Sequence, residues 1–109
     1  MGLDLYLYRR HKHHMEELIY WRKQWWVVEY FRKFGKWLDD ESGFDLTEKE
    51  LSAFVLDCKR VLKYPAKRRS ILGIDPHELD REETLNMLQE IVEKLDGIDP
   101  GDYTLYASY

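Results

Sequence analysis

At 109 residues, with 44% hydrophobic and 35% charged residues, the chain has the size and composition of one soluble domain spanning 1–109. No apolar run approaches the roughly 18 residues that a membrane-spanning helix requires, so no membrane partner is expected. The net charge of −4 and pI near 5.6 weigh against a nucleic-acid-binding domain, which is usually basic.

Leu3, Leu5 and Leu7 alternate with Asp4, Tyr6 and Tyr8, which predicts a half-buried strand over residues 2–9. With a strand expected from residue 2, no signal peptide is expected. Myristoylation after Met1-Gly2 wants Ser or Thr where Tyr6 stands, and is rejected. Beyond the polar break at residues 9–14, helical spacing predicts a long helix from Met15 to Leu38. Ile19, Tyr20, Trp26, Val27, Tyr30, Phe31, Phe34, Trp37 and Leu38 fall on one side of it, and Glu29, Arg32, Lys33 and Lys36 on the other. Leu18, Trp21, Trp25 and Val28 form a second apolar stripe on the charged side. The sequence offers this stripe as a partner-binding surface; cover by the terminal sheet or another helix is the other arrangement.

Asp39 to Leu46 is an acidic loop with Gly43 as its turn residue. Thr47-Glu48-Lys49-Glu50 is a capping-box signature with Leu46 and Leu51 at the staple positions. It predicts a helix over 47–63, carrying Leu51, Phe54, Val55, Cys58, Val61 and Leu62 on one face and stopped by Pro65. A basic, irregular connection, Tyr64 to Ile74, holds Lys67, Arg68 and Arg69. Asp75-Pro76-His77-Glu78 is a second helix-start signal, with Asp80 as a restart. Leu85, Leu88, Ile91, Val92 and Leu95 give the buried stripe, and Gly97 ends the helix. Tyr103, Leu105, Ala107 and Tyr109 alternate with polar neighbours, predicting a C-terminal strand after the Pro100-Gly101 turn. The expected fold is α+β: three helices packed on a small sheet formed by the N- and C-terminal strands, in the order β-α-α-α-β. Two strands alone are marginal in water and leave exposed edges, so homodimeric strand pairing is the alternative to pairing within the chain.

Met1-Gly2-Leu3-Asp4-Leu5-Tyr6-Leu7, then Tyr20-Trp21-Arg22-Lys23, then the aromatic pair Tyr30-Phe31, resembles a family of small uncharacterised proteins of tailed phages and bacterial prophages. That family opens MGLD-x-YL and carries RKAN-x-IH-x-WF on a helix; its Asn and His stand here as Trp25 and Val28. The resemblance implies a phage or mobile-element origin, and with it the cytoplasm of a bacterial host. It implies no reaction.

No constellation in the chain carries evident chemistry. His11, His13, His14 and Glu17 have some metal-ligand character, but a structural zinc site wants four ligands, often with Cys; the segment is read as a solvated junction, with no metal and no cofactor. Cys58, the single cysteine, cannot form an intramolecular disulfide, which suits a reducing compartment. It sits on an apolar stripe without a base beside it. Carboxylate pairs such as Asp39-Asp40 and Glu82-Glu83 lie where loops and helix starts favour negative charge. The acidic stripe Asp80, Glu82, Glu83, Glu90 and Glu93 has the makings of a DNA mimic, and is read as the wet side of a helix. No enzyme activity is expected.

Charge is unevenly spread. Residues 1–38 hold eight Lys/Arg against four Asp/Glu, residues 39–69 seven of each, and residues 70–109 two against ten. Aromatics make up 15%, with eight Tyr and four Trp, more than a small core needs; Tyr and Trp at a surface favour interfaces. The functional expectation is a phage-encoded accessory protein acting by stoichiometric binding of a host protein or complex, in the manner of an anti-CRISPR inhibitor of a bacterial defence system. The alternative is a nucleic-acid-binding accessory protein using Arg9, Arg10 and Lys12 with Lys67, Arg68 and Arg69, whose contacts would be phosphates or an acidic partner. A small oligomeric structural or regulatory protein is the third reading.

Overall fold

The computed structural model describes residues 2–36 and 43–108. Strand β1 (Asp4–Arg10) turns through a tight hairpin, closed by His11 N–H donating to the His14 carbonyl at 2.8 Å, into β2 (Met15–Arg22). Helix α1 (Trp25–Arg32), β3 (Gly43–Leu46) and α2 (Glu48–Lys63) follow. After a 3-10 turn at Pro65–Lys67 come the short α3 (Arg68–Leu72), then α4 (Arg81–Leu95) and β4 (Asp102–Ser108).

The strands form one antiparallel sheet in the order β2-β1-β4-β3. The two terminal strands do pair with each other, from Asp4 opposite Ser108 to Arg10 opposite Asp102, and they are the central pair of the sheet. The fold is α+β, but among the described residues there are four strands and four helices where two and three were expected.

The principal correction falls on residues 15–22, which are strand and not the first half of a long helix. A bulge explains why the periodicity misleads. Leu7 pairs with Ile19 and Tyr8 with Glu17, so Leu18 is an extra residue opposite no partner. On its two sides the alternation changes phase, and Leu18-Ile19 becomes an apolar doublet that imitates helical spacing. The run Ile19-Tyr20-Trp21 is β-branched and aromatic, which suits a pleated, half-buried surface. The chain leaves β2 through Lys23, which sits at φ 62, a left-handed conformation uncommon outside glycine. Helix α1 then lasts eight residues and ends at Arg32. Trp37, Leu38, the Asp39-Asp40 pair, Met1 and Tyr109 lie outside the described residues.

The later helices follow the chemistry of their caps. Thr47 Oγ1 accepts from Glu50 N at 3.1 Å while the Glu50 carboxylate accepts from Thr47 N at 2.9 Å. The second helix start is at Asp80: its carboxylate accepts from Glu83 N at 2.8 Å, and Thr84, fully buried, donates its hydroxyl to the Asp80 carbonyl. Asp75 instead closes a turn by accepting from His77 N, with Pro76 held in that turn. Gly97 follows α4 at φ 70, where a side chain would be strained.

The helices cover one face of the sheet. Leu5, Leu7, Ile19, Trp21, Leu46, Tyr103, Leu105 and Ala107 point into it and are buried. Phe54 of α2 lies at the centre of an aromatic cluster, its ring 5.0 Å from Tyr30, 5.1 Å from Phe31, 5.9 Å from Trp26 and 6.4 Å from Trp21. These rings absorb much of the aromatic surplus; Tyr6, Tyr8, Tyr20 and Tyr106 lie on the opposite face, and Trp25, Phe34 and Tyr64 are exposed on or beside the helices. No helix among the described residues is long and apolar enough to cross a membrane.

Candidate functional site

The second apolar stripe does not survive as a surface. Trp21 and Val28 are 5% and 1% exposed, and Leu18 is half-buried against the core. A stripe drawn at helical spacing across a strand and a helix has no common face. Of the four residues only Trp25, 49% exposed, faces outward. It lines a cleft of about 820 Å³ with Arg22 and Lys23 of the β2–α1 junction and with Glu78, Leu79 and Glu83 before and within α4. The junction is held by Lys23 N–H donating to the Leu3 carbonyl at 2.6 Å. Gln24 donates its amide to the Arg22 carbonyl and accepts from Trp26 Nε1, both at 2.9 Å.

The two basic clusters lie apart. Arg9 is 3.9 Å from Asp99, and Arg10 donates to Asp45 at 3.4 Å, while Lys12 stands in the β1–β2 hairpin. Helix α2 starts two residues after β3, at that end of the sheet, and carries the chain 16 residues before the second cluster. That is about 24 Å at 1.5 Å per residue. There Lys67 lies 5.4 Å from the Tyr64 ring, Arg68 donates to the Pro65 carbonyl and is half-buried, and only Lys67 and Arg69 are exposed.

His11 binds Glu16, not Glu17, at 2.8 Å and stacks on His14; among the described residues no group of three or more His, Cys, Asp or Glu is placed to hold a metal ion. Cys58 is fully buried, and burial pushes its thiol well above the usual range. On the acidic helix, Asp80 and Glu83 are engaged in the cap and Glu90 in an ion pair with Lys94 at 2.8 Å.

Helical spacing does not reveal the open face of the sheet. Tyr6 and Tyr8 of β1, Tyr20 of β2 and Tyr106 of β4 all project from it. The Tyr6 ring sits among the other three, 5.1 Å from Tyr20, 6.1 Å from Tyr8 and 6.3 Å from Tyr106. Tyr20 and Tyr106 are 46% and 43% exposed, and Tyr6 and Tyr8 are half-buried by their neighbours. The register builds the patch: Tyr6 stands opposite Tyr20 on one side and opposite Tyr106 on the other.

Polar groups frame the rings. Tyr20 donates its hydroxyl to Asp4 at 2.5 Å, and that bond, with partial burial, holds the Tyr20 hydroxyl above its ordinary range. Asp45 accepts from Thr104 at 3.0 Å as well as from Arg10. Burial, followed by the charge of Glu17, raises Tyr8. The signal was legible in the period-two pattern of β1 and β4, whose alternate positions carry three of the four tyrosines.

The chain matches no protein-family model, no curated protein and no solved structure.

Proposed function

We propose that the protein acts by stoichiometric binding of another protein, and that the tyrosine-bearing face of the sheet is the surface that binds. The observation that carries this reading is the set of four tyrosines, three of them around the Tyr6 ring, on the sheet face opposite the helices. Tyrosine gives a large, rigid, amphipathic contact with little rotamer entropy to lose, which is why it concentrates at interface centres. Neighbour packing has already restricted Tyr6 and Tyr8. A reaction finds less support: Cys58 is buried, and carboxylates such as Asp57, Asp80 and Glu83 are engaged in caps and ion pairs.

The resemblance of the opening residues to a phage family directs the search for a partner to a bacterial host, with its defence complexes as the most concrete candidates. Nucleic-acid binding by the two basic clusters is disfavoured because α2 holds them apart and Arg9 and Arg10 have acidic partners.

The test is capture from nuclease-treated host lysate, followed by reconstitution with the recovered protein. The expected result is a complex of fixed stoichiometry that survives nuclease. Recovery that disappears with nuclease contradicts the reading and favours nucleic acid.

A further inference from the structure

We infer that the surface this face recognises is basic, a protein segment whose arginine side chains lie flat on the tyrosine rings. The inference rests on the protein-binding reading above and names its partner chemistry.

Charge decides it. Strand alternation and the register place the carboxylates of Asp4, Glu17, Asp45 and Asp102 on the tyrosine side, against the cations Arg10 and Arg22. Arg10 is already engaged by Asp45. The carboxylate of Glu17, directly opposite Tyr8, has no ion pair or hydrogen bond among the described residues. The faces of the rings are themselves electron-rich. The surface therefore offers π faces with carboxylates at the rim, and a guanidinium satisfies both, stacking on a ring while its N–H groups reach a carboxylate. The same carboxylates repel phosphates, so bases stacking on the tyrosines would bring their backbone against like charge.

The test uses the full chain and a defined probe. A twelve-residue peptide with four arginines is titrated while tyrosine ring resonances are followed by NMR, beside the same peptide with citrulline replacing arginine. The expected result is a set of shifts centred on Tyr6, Tyr8, Tyr20 and Tyr106 with arginine and none with citrulline. Tyr20→Leu/Tyr106→Leu keeps apolar bulk at two exposed positions but removes two π faces. It should weaken binding about tenfold, at roughly threefold for each exposed cation–π contact. Glu17→Gln should weaken it about twofold. Shifts scattered away from the tyrosines, equal affinity in the leucine variant, or no shifts at millimolar peptide would overturn the inference. So would oligouridylate that shifts the same rings more strongly than the arginine peptide. The two readings fail separately. If the leucine variant loses the captured partner while the arginine peptide never binds, only the basic-partner inference falls. If the variant keeps the partner, the assignment of that binding to the tyrosine face falls with it, and recovery that disappears with nuclease is what overturns protein binding itself.

Discussion

Asp57 of α2 gathers three donors, from α1, from the residue capping α1 and from its own helix. Tyr30 donates to its Oδ2 at 2.7 Å, Arg60 to Oδ1 at 3.0 Å, and Lys33 lies 3.4 Å from Oδ2. Burial opposes the ionised carboxylate, but these partners outweigh it and hold Asp57 below the ordinary 3.8. Burial and the same hydrogen bond push the Tyr30 hydroxyl far above the usual tyrosine range. A carboxyl with a folded value below its unfolded one contributes fully above the unfolded value and loses that contribution as pH falls through the folded one. The stability of the wild type should therefore decline below about pH 4, and Asp57→Asn should flatten that part of the acid limb in a urea titration. An unchanged slope would mean Asp57 is not held low. Tyr30→Phe keeps the ring against Phe54 and should cost about 1–2 kcal/mol. Cys58 should resist a thiol reagent in the native protein and react on unfolding, since both burial and its raised thiol disfavour the thiolate; rapid native labelling would contradict its place in the core.

At the scale of elements, β2 and its exit decide the layout of the surface. Trp21→Ala removes a buried ring beside Phe54 and should cost about 3–5 kcal/mol. Trp25→Ala, at a half-exposed position, should cost about 1 kcal/mol or less. Similar losses for both would restore the helical stripe that the strand replaces. Lys23 at φ 62 carries strain that glycine lacks, so Lys23→Gly should raise stability by up to about 1 kcal/mol.

Elements with local signals were legible in the sequence. Both terminal strands showed their alternation, α2 its capping box, and α4 its Asp80 start and Gly97 end. β2 was hidden because the bulge at Leu18 broke its alternation, and β3 because four residues around Gly43 and Asp45 have no pattern of their own. α1 was real but overextended. The tyrosine patch was half legible: the outward set of β1 was readable, but the patch exists only because β2 and β4 flank β1, which is a fact of tertiary register.

For the whole molecule, the central placement of β1 and β4 joins the two ends of the chain in one cooperative structure. Deleting Met1–Tyr8 or Tyr103–Tyr109 should each abolish a cooperative thermal transition, since either removes a central strand with its buried apolar side chains. A truncation that melts like the full chain would contradict the sheet order. The charges follow the fold as well as the sequence: many carboxylates of the acidic C-terminal third lie on α4, with Lys94 and Lys59 neutralising Glu90 and Asp96. In the function proposed above, partner binding belongs to the tyrosine face and not to the cleft beside Trp25. The measurement that tests it most directly compares partner affinity in Tyr20→Ala/Tyr106→Ala and in Trp25→Ala, with the melting temperature of each as the control for folding. The tyrosine variant should lose at least about tenfold in affinity, as expected when central interface aromatics are truncated, and Trp25→Ala should change little. Full affinity in the tyrosine variant, with binding lost in Trp25→Ala, would contradict it.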